Sequence, residues 1–252
     1  MPGSTPGLDP EQVRKAATAL LKFVGSQREE SKELLQDDEV FQLLISLSHT
    51  PQSKKSSKPV ALPVPHSLYD YDGAEICLLV KDRKGEGHKE AKARVRQAEI
   101  GKIAKVVGLS KLRTKYESFE AKRQLCAQYD LFLADDRILP FLPKLLGKSF
   151  FKKKKQPIPL DLTRADWGAQ VKRACSCTYL FRSPGSCLNI RVARSNFSER
   201  QCSENIIAVL QQVTAHIPKK WDNVQAVFLK TADSVALPLY QVLPEAVQKI
   251  SA

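Results

Sequence analysis

The chain has 252 residues, of which 40 are Lys or Arg and 27 are Asp or Glu, so its formal charge is +13. Its hydrophobic content of 42% is that of ordinary globular protein, which excludes disorder, collagen and coiled coil as descriptions of the whole. Folding alone does not require so large a charge, which therefore predicts an anionic partner. No apolar run approaches the roughly 18 to 20 residues that cross a bilayer, and no signal peptide begins the chain, so we expect an intracellular protein without a membrane partner.

The excess charge is concentrated in the middle of the chain. Residues 81–123 and residues 124–200 each carry 14 basic and 6 acidic side chains, whereas residues 201–252 carry 4 of each. The densest run consists of four consecutive lysines: Lys152, Lys153, Lys154 and Lys155. The prolines that follow place this run in a loop before a strand. It is either a solvated surface loop or a patch that contacts phosphates or a nuclear-import receptor.

The N-terminal part predicts a helix followed by two strands. The helix begins at Asp9 and Pro10, since Asp suits the cap and Pro the first helical position, and we expect it to end near Gly25. The short apolar segment Val40–Leu47 is typical of a strand. Residues 59–66 contain several prolines, which favour an extended edge strand at best.

The middle of the chain alternates between strand and helix patterns from residue 75 to residue 162, which is typical of an α/β unit. The predicted strands are residues 75–80, 129–134 and 158–162. The predicted helices are residues 90–107, 117–128 and 135–146, the last of them interrupted by Pro140 and Pro143.

The remaining C-terminal elements are α+β in character. A helix at residues 164–174 precedes two strands, residues 177–181 and 188–192, which flank a Pro-Gly turn and predict a β-hairpin. A helix at residues 199–215 and strands at residues 224–230 and 235–240 follow. We therefore expect a mixed α/β fold: a discontinuous α+β domain, residues 1–73 and 164–252, with an inserted Rossmann-like α/β domain, residues 74–163.

The sequence contains no strong motif for catalysis or metal binding. Gly147-Lys148-Ser149 lacks the glycine that a phosphate-binding loop needs five positions earlier, because Leu142 occupies that position. Cys175 and Cys177 have no histidine pair at the spacing of a zinc site, and the six cysteines predict reduced, mostly buried thiols. We therefore expect no catalytic residue, no metal site and no cofactor.

Several short segments, taken in their order along the chain, resemble the ribosomal protein L-one family, the large-subunit stalk proteins. These segments are the strand at residues 39–47, Val64-Pro65-His66-Ser67, Ser203-Glu204-Asn205-Ile206, and residues 227–235. Residues 9–16, 115–122 and 234–238 resemble more specifically the eukaryotic nucleolar branch of that family, whose members act in ribosome assembly. The resemblance spans about residues 10–241 and implies the fold described above.

The resemblance also implies that the discontinuous domain contacts rRNA. The family's Thr-Met-Gly loop corresponds to Thr231, Ala232 and Asp233, and Lys230 and Ser234 flank it. Glycine permits a close backbone approach and Asp233 repels phosphate, so this departure from the family pattern predicts altered binding at the loop.

Two arginines are the strongest single-residue candidates for RNA contact. Arg191 and Arg194 lie in the predicted hairpin, where the family carries a Val-Gly-Lys run. Arginine suits this role because its planar guanidinium can bind phosphate bidentately and stack on bases. The alternative for these residues, and for Lys230, Thr231 and Ser234, is that they are polar strand and turn residues exposed to solvent.

These observations lead us to expect a non-catalytic RNA-binding protein, a nucleolar ribosome-biogenesis factor that binds pre-rRNA and pre-ribosomal proteins and is monomeric outside the particle. If ~4 to 6 phosphates are neutralised, the log–log salt dependence of binding should have a slope of roughly −3 to −5. Two alternatives remain open. One is a protein-interaction module of pre-ribosomal particles, and the other is an mRNA-binding regulator of translation and cell growth.

Overall fold

The structure is a computed structural model that describes residues 8–30, 38–50, 58–69, 73, 75–82, 88–97, 103–153, 155–181 and 185–242. The strands are β1 (Val40–Leu47), β2 (Val60–Pro63), β3 (Ile76–Val80), β4 (Ile103–Gly108), β5 (Leu131–Asp135), β6 (Ile158–Leu160), β7 (Cys177–Leu180), β8 (Cys187–Arg194), β9 (Val224–Lys230) and β10 (Leu237–Gln241). The helices are α1 (Pro10–Glu30), α2 (Lys89–Gln97), α3 (Leu109–Thr114), α4 (Phe119–Gln128), α5 (Leu142–Leu146), α6 (Lys148–Lys152), α7 (Trp167–Cys175) and α8 (Glu199–His216).

The chain divides into two compact units, and the mixed α/β class is confirmed. Unit 1 comprises Met1–Lys55, Leu62–His66 and Tyr179–Ala252, and unit 2 comprises Ser56–Ala61 and Ser67–Thr178. Unit 2 begins earlier than the predicted 73/74 limit, and it extends past the predicted 163/164 limit, because α7 packs against β6 inside it. Within the part of the chain that the structure describes, no helix combines the length and apolar character needed to span a bilayer.

Unit 1 is an antiparallel sheet with helices packed against it. The strand order is β10-β9-β1-β8, and α1 and α8 pack against each other and against the sheet. Side chains in β1 alternate between buried Phe41, Leu43 and Ile45 and a half-exposed opposite face. Burial of every second residue is the pattern of a sheet covered on one face only.

Capping interactions fix where the two long helices of unit 1 begin. The Asp9 carboxylate accepts the Glu11 N–H at 2.9 Å, so the predicted start of α1 is confirmed. The helix continues past the predicted end at Gly25, because a single glycine within a helix weakens it without ending it. The start of α8 is fixed by a capping box, in which Ser198 and Gln201 each bond the other's backbone N–H.

Unit 2 is built on a parallel sheet with the strand order β4-β3-β5-β6. Every residue of β3 and of β5 is buried, as expected for parallel strands covered on both faces. The core includes Phe132 in β5 and Phe150 in α6, whose rings meet edge to face at 4.9 Å. The predicted alternation of strand and helix is thus confirmed for this unit in its main features.

The prediction of one long helix at residues 90–107 is wrong. The helix α2 ends at Gln97, and residues 103–108 form β4, the edge strand that pairs in parallel with β3. Val106 and Val107 are buried in this pairing. The apolar residues of this segment happen to follow helical spacing, which led to the wrong prediction. The segment is short and rich in β-branched residues, and its pairing with β3 decides its conformation.

The predicted β-hairpin around Gly185 is also wrong. The strand β7 pairs with β2 in a separate two-stranded sheet, whereas β8 pairs with β1. The two strands that flank the Pro-Gly turn therefore belong to different sheets. The pairing of β2 in a two-stranded sheet confirms that the proline-rich segment is an edge strand.

The segment between β5 and β6 contains more helix than expected. Asp135 belongs to β5, and a 3-10 turn at Leu139–Phe141 leads into α5 and α6 in place of one interrupted helix. The six cysteines are unpaired, and all except Cys187 are buried, which confirms that prediction. Burial raises the pKa of the Cys77 thiol to about 12, so this thiol is protonated at neutral pH.

Candidate nucleic-acid interface

The side of the unit 1 sheet opposite to the buried residues of β1 carries the candidate site, which we call the arginine face. It comprises the half-exposed side chains of the three strands β1, β8 and β9: Val40, Gln42, Leu44, Ser46, Asn189, Arg191, Arg194, Phe228 and Lys230. The face combines three cations, two amides and one aromatic ring.

Strand register places three polar residues of this face in one row. Gln42 lies opposite Arg191 on one side and opposite Lys230 on the other. Because neighbouring strands lie about 4.8 Å apart, the backbones of Arg191 and Lys230 are separated by roughly 10 Å. The Asn189 amide donates a hydrogen bond to Gln42 Oε1 at 2.7 Å. This bond orders the side-chain amide of Gln42 between the two cations.

A β-bulge in β8 places both arginines on the arginine face. Residues three apart on a regular strand point to opposite faces. Here the register shifts between Phe41 and Gln42, so that Val192 is an additional residue on β8. Val192 and its neighbour Ala193 are both buried, while Arg191 and Arg194 are both half-exposed. The bulge therefore gathers two cations that regular pairing would separate.

Asn205, on the buried side of α8, supports the bulge from behind. Its side chain is fully buried, and its Nδ2 donates to the carbonyl oxygens of Val192 and His66, both at 2.9 Å. Its Oδ1 accepts the His66 N–H at 2.9 Å. The carbonyl that the bulge frees is thus satisfied, and two of the segments that carry the family resemblance meet at this residue.

Hydrogen bonds to Glu204 surround the same junction at the surface. His66 Nε2 lies 2.7 Å from Glu204 Oε2, and Arg200 Nε donates to Glu204 Oε1 at 2.8 Å. These hydrogen bonds, with the one to His66 the stronger influence, hold the pKa of the Glu204 carboxyl below its ordinary value. The junction is therefore tied by both buried and exposed polar contacts.

The end of β8 beside Arg194 is fastened to the start of β1. Ser195 N–H donates to the Glu39 carbonyl at 2.9 Å, and Ser195 Oγ accepts hydrogen bonds from Glu39 N–H and from Arg28 Nη2. Arg28 also pairs with Asp38 at 3.3 Å. The backbone that presents Arg194 is thus held in place by several interactions.

Two predicted site residues, Thr231 and Ser234, stabilise the turn after β9 through hydrogen bonds to each other. Ser234 Oγ accepts the Thr231 N–H at 2.8 Å, and Thr231 Oγ1 accepts the Ser234 N–H at 3.2 Å. Thr231 is fully buried, and Asp233 is exposed in the turn. Thr231 and Ser234 therefore set the shape of the loop. Of the three predicted residues Lys230, Thr231 and Ser234, Lys230 lies on the arginine face.

The lysine run belongs to unit 2 and is not a simple loop. Lys152 is the last residue of α6, and Lys153 follows it directly, while Lys154 lies outside the described residues. Lys155 Nζ donates to the carbonyl oxygens of Cys126 and Tyr129, at 3.2 and 2.8 Å. Lys155 thus binds the C-terminal end of α4, where a cation stabilises the unsatisfied carbonyls.

A cavity of about 510 Å³ opens in unit 2 at the carboxyl ends of β3, β5 and β6. Asp135, almost fully buried, accepts hydrogen bonds of 2.7 to 3.1 Å from Nε and Nη2 of Arg137, and these bonds raise the pKa of Arg137. Asp82 accepts the Ser110 N–H at the start of α3. These two carboxylates therefore fix the local structure of the cavity wall.

The sequence pointed to the arginines and to Lys230, but not to Gln42, Asn189, Phe228 or Asn205. The first three become apparent only once the strand register is known. Asn205 had a weaker signal, because it lies at helical spacing from Cys202 and Val209 on the apolar side of α8. A polar residue at such a position requires buried hydrogen-bond partners.

Comparison with known proteins agrees with this architecture. The sequence pattern of the "Ribosomal protein L1p/L10e family" matches residues 20–235. "Ribosomal L1 domain-containing protein 1" of Mus musculus is 29% identical over 237 residues, which cover 92% of this chain and 52% of that protein. A Schizosaccharomyces pombe protein, named provisionally as a ribosome biogenesis protein, is 33% identical over 247 residues, covering 90% of this chain and 64% of its own length.

The chain thus spans between half and two thirds of the length of these two relatives. A more distant relative is the "Large ribosomal subunit protein uL1" of Methanothrix thermoacetophila, which is 27% identical over 126 residues, or 50% of this chain and 59% of that protein. The match to the family pattern covers most of the chain, including α8 and the three strands of the arginine face. The chain therefore belongs to the ribosomal protein L1p/L10e family.

Proposed function

We propose that this chain is a non-catalytic RNA-binding protein of ribosome assembly, and that the arginine face contacts the backbone of pre-rRNA. The observation that carries the proposal is the bulge at Val192, which gathers Arg191 and Arg194 on the face that also bears Lys230. Two relatives named for a ribosomal L1 domain and for ribosome biogenesis support the same role. Nucleolar location, pre-ribosomal protein partners, a monomeric state outside the particle and a Rossmann-like inserted domain belong to this proposal.

The residues of the arginine face divide into two chemical roles. The guanidinium groups and Lys230 neutralise phosphates, which fixes position on RNA without reading sequence. Phe228, in the neighbouring row opposite Leu44, offers a ring on which an unpaired base can stack. Gln42 and Asn189 add donors and acceptors between the cations. Together they form a surface suited to structured RNA with exposed bases.

The turn and the lysine run have secondary roles in this proposal. Asp233 repels phosphate beside Lys230, so RNA approaches the sheet from the side of β8 and avoids the turn. Thr231 and Ser234 contribute by holding the turn in shape. Lys152, Lys153 and Lys154 add phosphate contacts in unit 2, whereas Lys155 is engaged at the end of α4.

Salt titration of RNA binding tests the arginine face directly. Arg191→Ala with Arg194→Ala should make the log–log slope less negative by about 2, because each lost phosphate contact removes about 0.9. Lys15→Ala with Lys22→Ala is the matched control, since both lysines are exposed on α1 and the pair removes the same charge. An equal change in the two double variants would show that only net charge matters and would contradict the proposal.

Crosslinking with sequencing of bound RNA, on the intact protein in cells, tests the target. We expect enrichment of pre-rRNA that collapses in the arginine double variant and persists in the lysine control. Enrichment of messenger RNA would instead support the role in translation and growth control. No RNA above background would contradict the proposal for both targets.

One observation favours protein docking as the second candidate function. Val235 is 80% exposed and directly follows the turn that carries Asp233. An exposed apolar residue beside an acidic one suits a basic, partly apolar protein surface in a pre-ribosomal particle. Val235→Ser should then release the protein from such particles, measured by gradient sedimentation, while its affinity for RNA stays unchanged.

A further inference from the structure

Phe119 in unit 2 exposes its aromatic ring to solvent. It is the first residue of α4 and is 77% exposed. The helix start is ordered, because the Ser118 side chain accepts the Ala121 N–H at 3.2 Å. The ring therefore extends from a capped helix start, and burial of its own apolar surface does not explain its position.

A lysine accompanies this ring. Lys122, one turn further along α4, places its Nζ 5.5 Å from the centre of the Phe119 ring, within the range of a cation–π contact. The stem of Lys122 passes close to Gly147, with its Cδ 3.9 Å from the point that a Cβ on Gly147 would occupy. The start of α6 therefore lies beside the first turn of α4.

The segment from Gly147 to Lys155 runs along α4 from its first turn to its last. One end of the segment is fixed by the contact with Lys122, and the other by the hydrogen bonds of Lys155 to the carbonyls of Cys126 and Tyr129. Between them the segment buries Phe150 in the core and leaves other side chains at the surface. We call this surface the α4–α6 strip; its members are Phe119, Lys122, Lys148, Phe151, Lys152 and Lys153.

The strip combines positive charge with exposed aromatic surface. Residues 142–155 contain six lysines and no acidic residue. Phe151 is 37% exposed, and Lys148, Lys152 and Lys153 are exposed around it. On the adjacent helix, the charge of Glu120 is compensated by Arg123 at 3.1 Å. A polyanion with flat apolar groups matches this chemistry better than an acidic peptide, because a protruding ring offers a stacking face and no pocket for a side chain.

We propose that the α4–α6 strip binds unpaired nucleotides of RNA, with a base stacked on Phe119 and its phosphates beside the lysines. This inference rests on the proposed function only in that both require an RNA ligand. It assigns unit 2 its own surface and a different class of RNA structure, since the base faces of a duplex are already stacked and are inaccessible to the ring. The arginine face, in contrast, has three cations for the backbone phosphates that a folded RNA also presents, and its one ring, Phe228, is only half-exposed.

Binding of two RNA probes to the full chain tests the strip. The probes are a fluorescently labelled uridylate ten-mer, which is single-stranded, and a base-paired RNA hairpin with a short loop. Phe119→Ala and Phe119→Leu should weaken uridylate binding roughly 5- to 150-fold, the range for one stacked base, whereas Phe119→Tyr should stay within about twofold of wild type. Hairpin binding should stay unchanged in all three. The exposed position of Phe119 allows each variant to fold, which far-UV circular dichroism checks.

The outcomes separate this inference from the proposed function. If Phe119→Ala bound the uridylate with wild-type affinity, the proposal that the α4–α6 strip binds unpaired nucleotides would be wrong. If Phe119→Ala lost uridylate binding but Phe119→Leu kept it in full, the proposal would also be wrong. An apolar contact, as in protein docking, would then suffice, and stacking would not be needed. A wild-type chain that binds uridylate through Phe119 but does not bind the hairpin would support the strip while contradicting the role of the arginine face. Hairpin binding that depends on Arg191 and Arg194, with no uridylate binding, would do the reverse.

Discussion

The sheets of the two units present side chains to solvent in different ways. In unit 1 every second residue of β1 is half-exposed, so strand positions such as Gln42 can take part in a binding surface. In unit 2 the central strands β3 and β5 are buried along their whole length, and only their carboxyl ends, at Val80 and Asp135, border a cavity. An exposed binding surface on unit 2 must therefore come from helices and loops, because the strands contribute only these buried ends. The difference teaches that sheet type decides which elements can carry function.

One phenylalanine from each sheet gives the comparison with the largest expected effect. Phe132 is fully buried in β5 against Phe150, whereas Phe228 is half-exposed in β9. Phe132→Ala should lower the free energy of unfolding by about 3 to 5 kcal/mol, because it leaves a core cavity. Phe228→Ala should cost about 1 kcal/mol or less.

The two tryptophans allow each unit to be followed separately. Trp167 lies in unit 2 and Trp221 in unit 1, so urea unfolding monitored in the Trp221→Phe and Trp167→Phe backgrounds reports each unit by fluorescence. A cost for Phe228→Ala as large as that for Phe132→Ala would mean that the arginine face is a covered core face. The contrast between the sheets would then be false.

Asn205 gives the next largest effect and connects the stability of unit 1 to its binding surface. Asn205→Ala removes three hydrogen bonds, to the buried carbonyl of Val192 and to the part-buried N–H and carbonyl of His66, so we expect a loss of about 2 to 4 kcal/mol. Asn189→Ala, which removes one half-exposed amide, should cost less than about 1 kcal/mol. Under conditions where Asn205→Ala remains folded, its salt slope for RNA should move toward that of the arginine double variant.

If folded Asn205→Ala retained the wild-type salt slope, the bulge would not be needed for RNA binding. Asn205 would then have a role in stability alone. Trp221 fluorescence during urea unfolding measures the stability, and filter binding at several salt concentrations measures the slope.

Much of the architecture was predictable because local pattern and tertiary environment agree. The alternation of strand and helix predicted the α/β unit, and Asp9 and Pro10 predicted the start of α1. The pattern failed at β4, where residues 103–107 continue a helical spacing of apolar residues but pair with β3 instead. The hairpin failed because turn residues between two strands do not establish that those strands pair with each other.

The composition of the candidate site was harder to predict for a specific reason. Arg191 and Arg194 are three residues apart, and a regular strand would direct them to opposite faces. Only the bulge at Val192 places them together, and a bulge has no signature in a single sequence here. Lys155 illustrates the reverse case, since its membership of a charged run concealed a contact with the end of α4.

Helix caps allow a smaller, matched test of the two units. Ser198→Ala should cost about 1 kcal/mol, because it breaks a capping box at the start of α8 in unit 1. Ser118→Ala removes a single cap from α4 in unit 2 and should cost roughly 0.5 to 1 kcal/mol. Ser→Thr at either position keeps the oxygen and should restore most of the loss. Urea unfolding of both pairs measures the difference, and equal costs would show that the Ser198 hydroxyl in a capping box stabilises no more than the single cap at Ser118.

The smallest expected effect concerns the pH dependence of one carboxyl in each unit. Hydrogen bonds from His66 and Arg200 lower the pKa of Glu204 from its ordinary 4.5, and hydrogen bonds from Thr163 lower that of Asp161 from its ordinary 3.8. A carboxyl whose pKa is lower in the folded state stabilises the fold above its unfolded pKa, and that stability is lost as pH falls through the folded value. The contribution of Glu204 should therefore begin to disappear below pH 4.5, and that of Asp161 only below pH 3.8.

Glu204→Gln and Asp161→Asn test these two contributions by urea unfolding at pH 6 and pH 3. Each variant should be slightly less stable than wild type at pH 6, and the gap should narrow at pH 3, because wild type then loses a charge that the variant never had. High salt should narrow the gap at pH 6 as well, since both carboxyls are exposed. A gap for Glu204→Gln that persists at pH 3 and in high salt would mean that Glu204 supports the Asn205 junction through the geometry of its hydrogen bond to His66, independently of its charge.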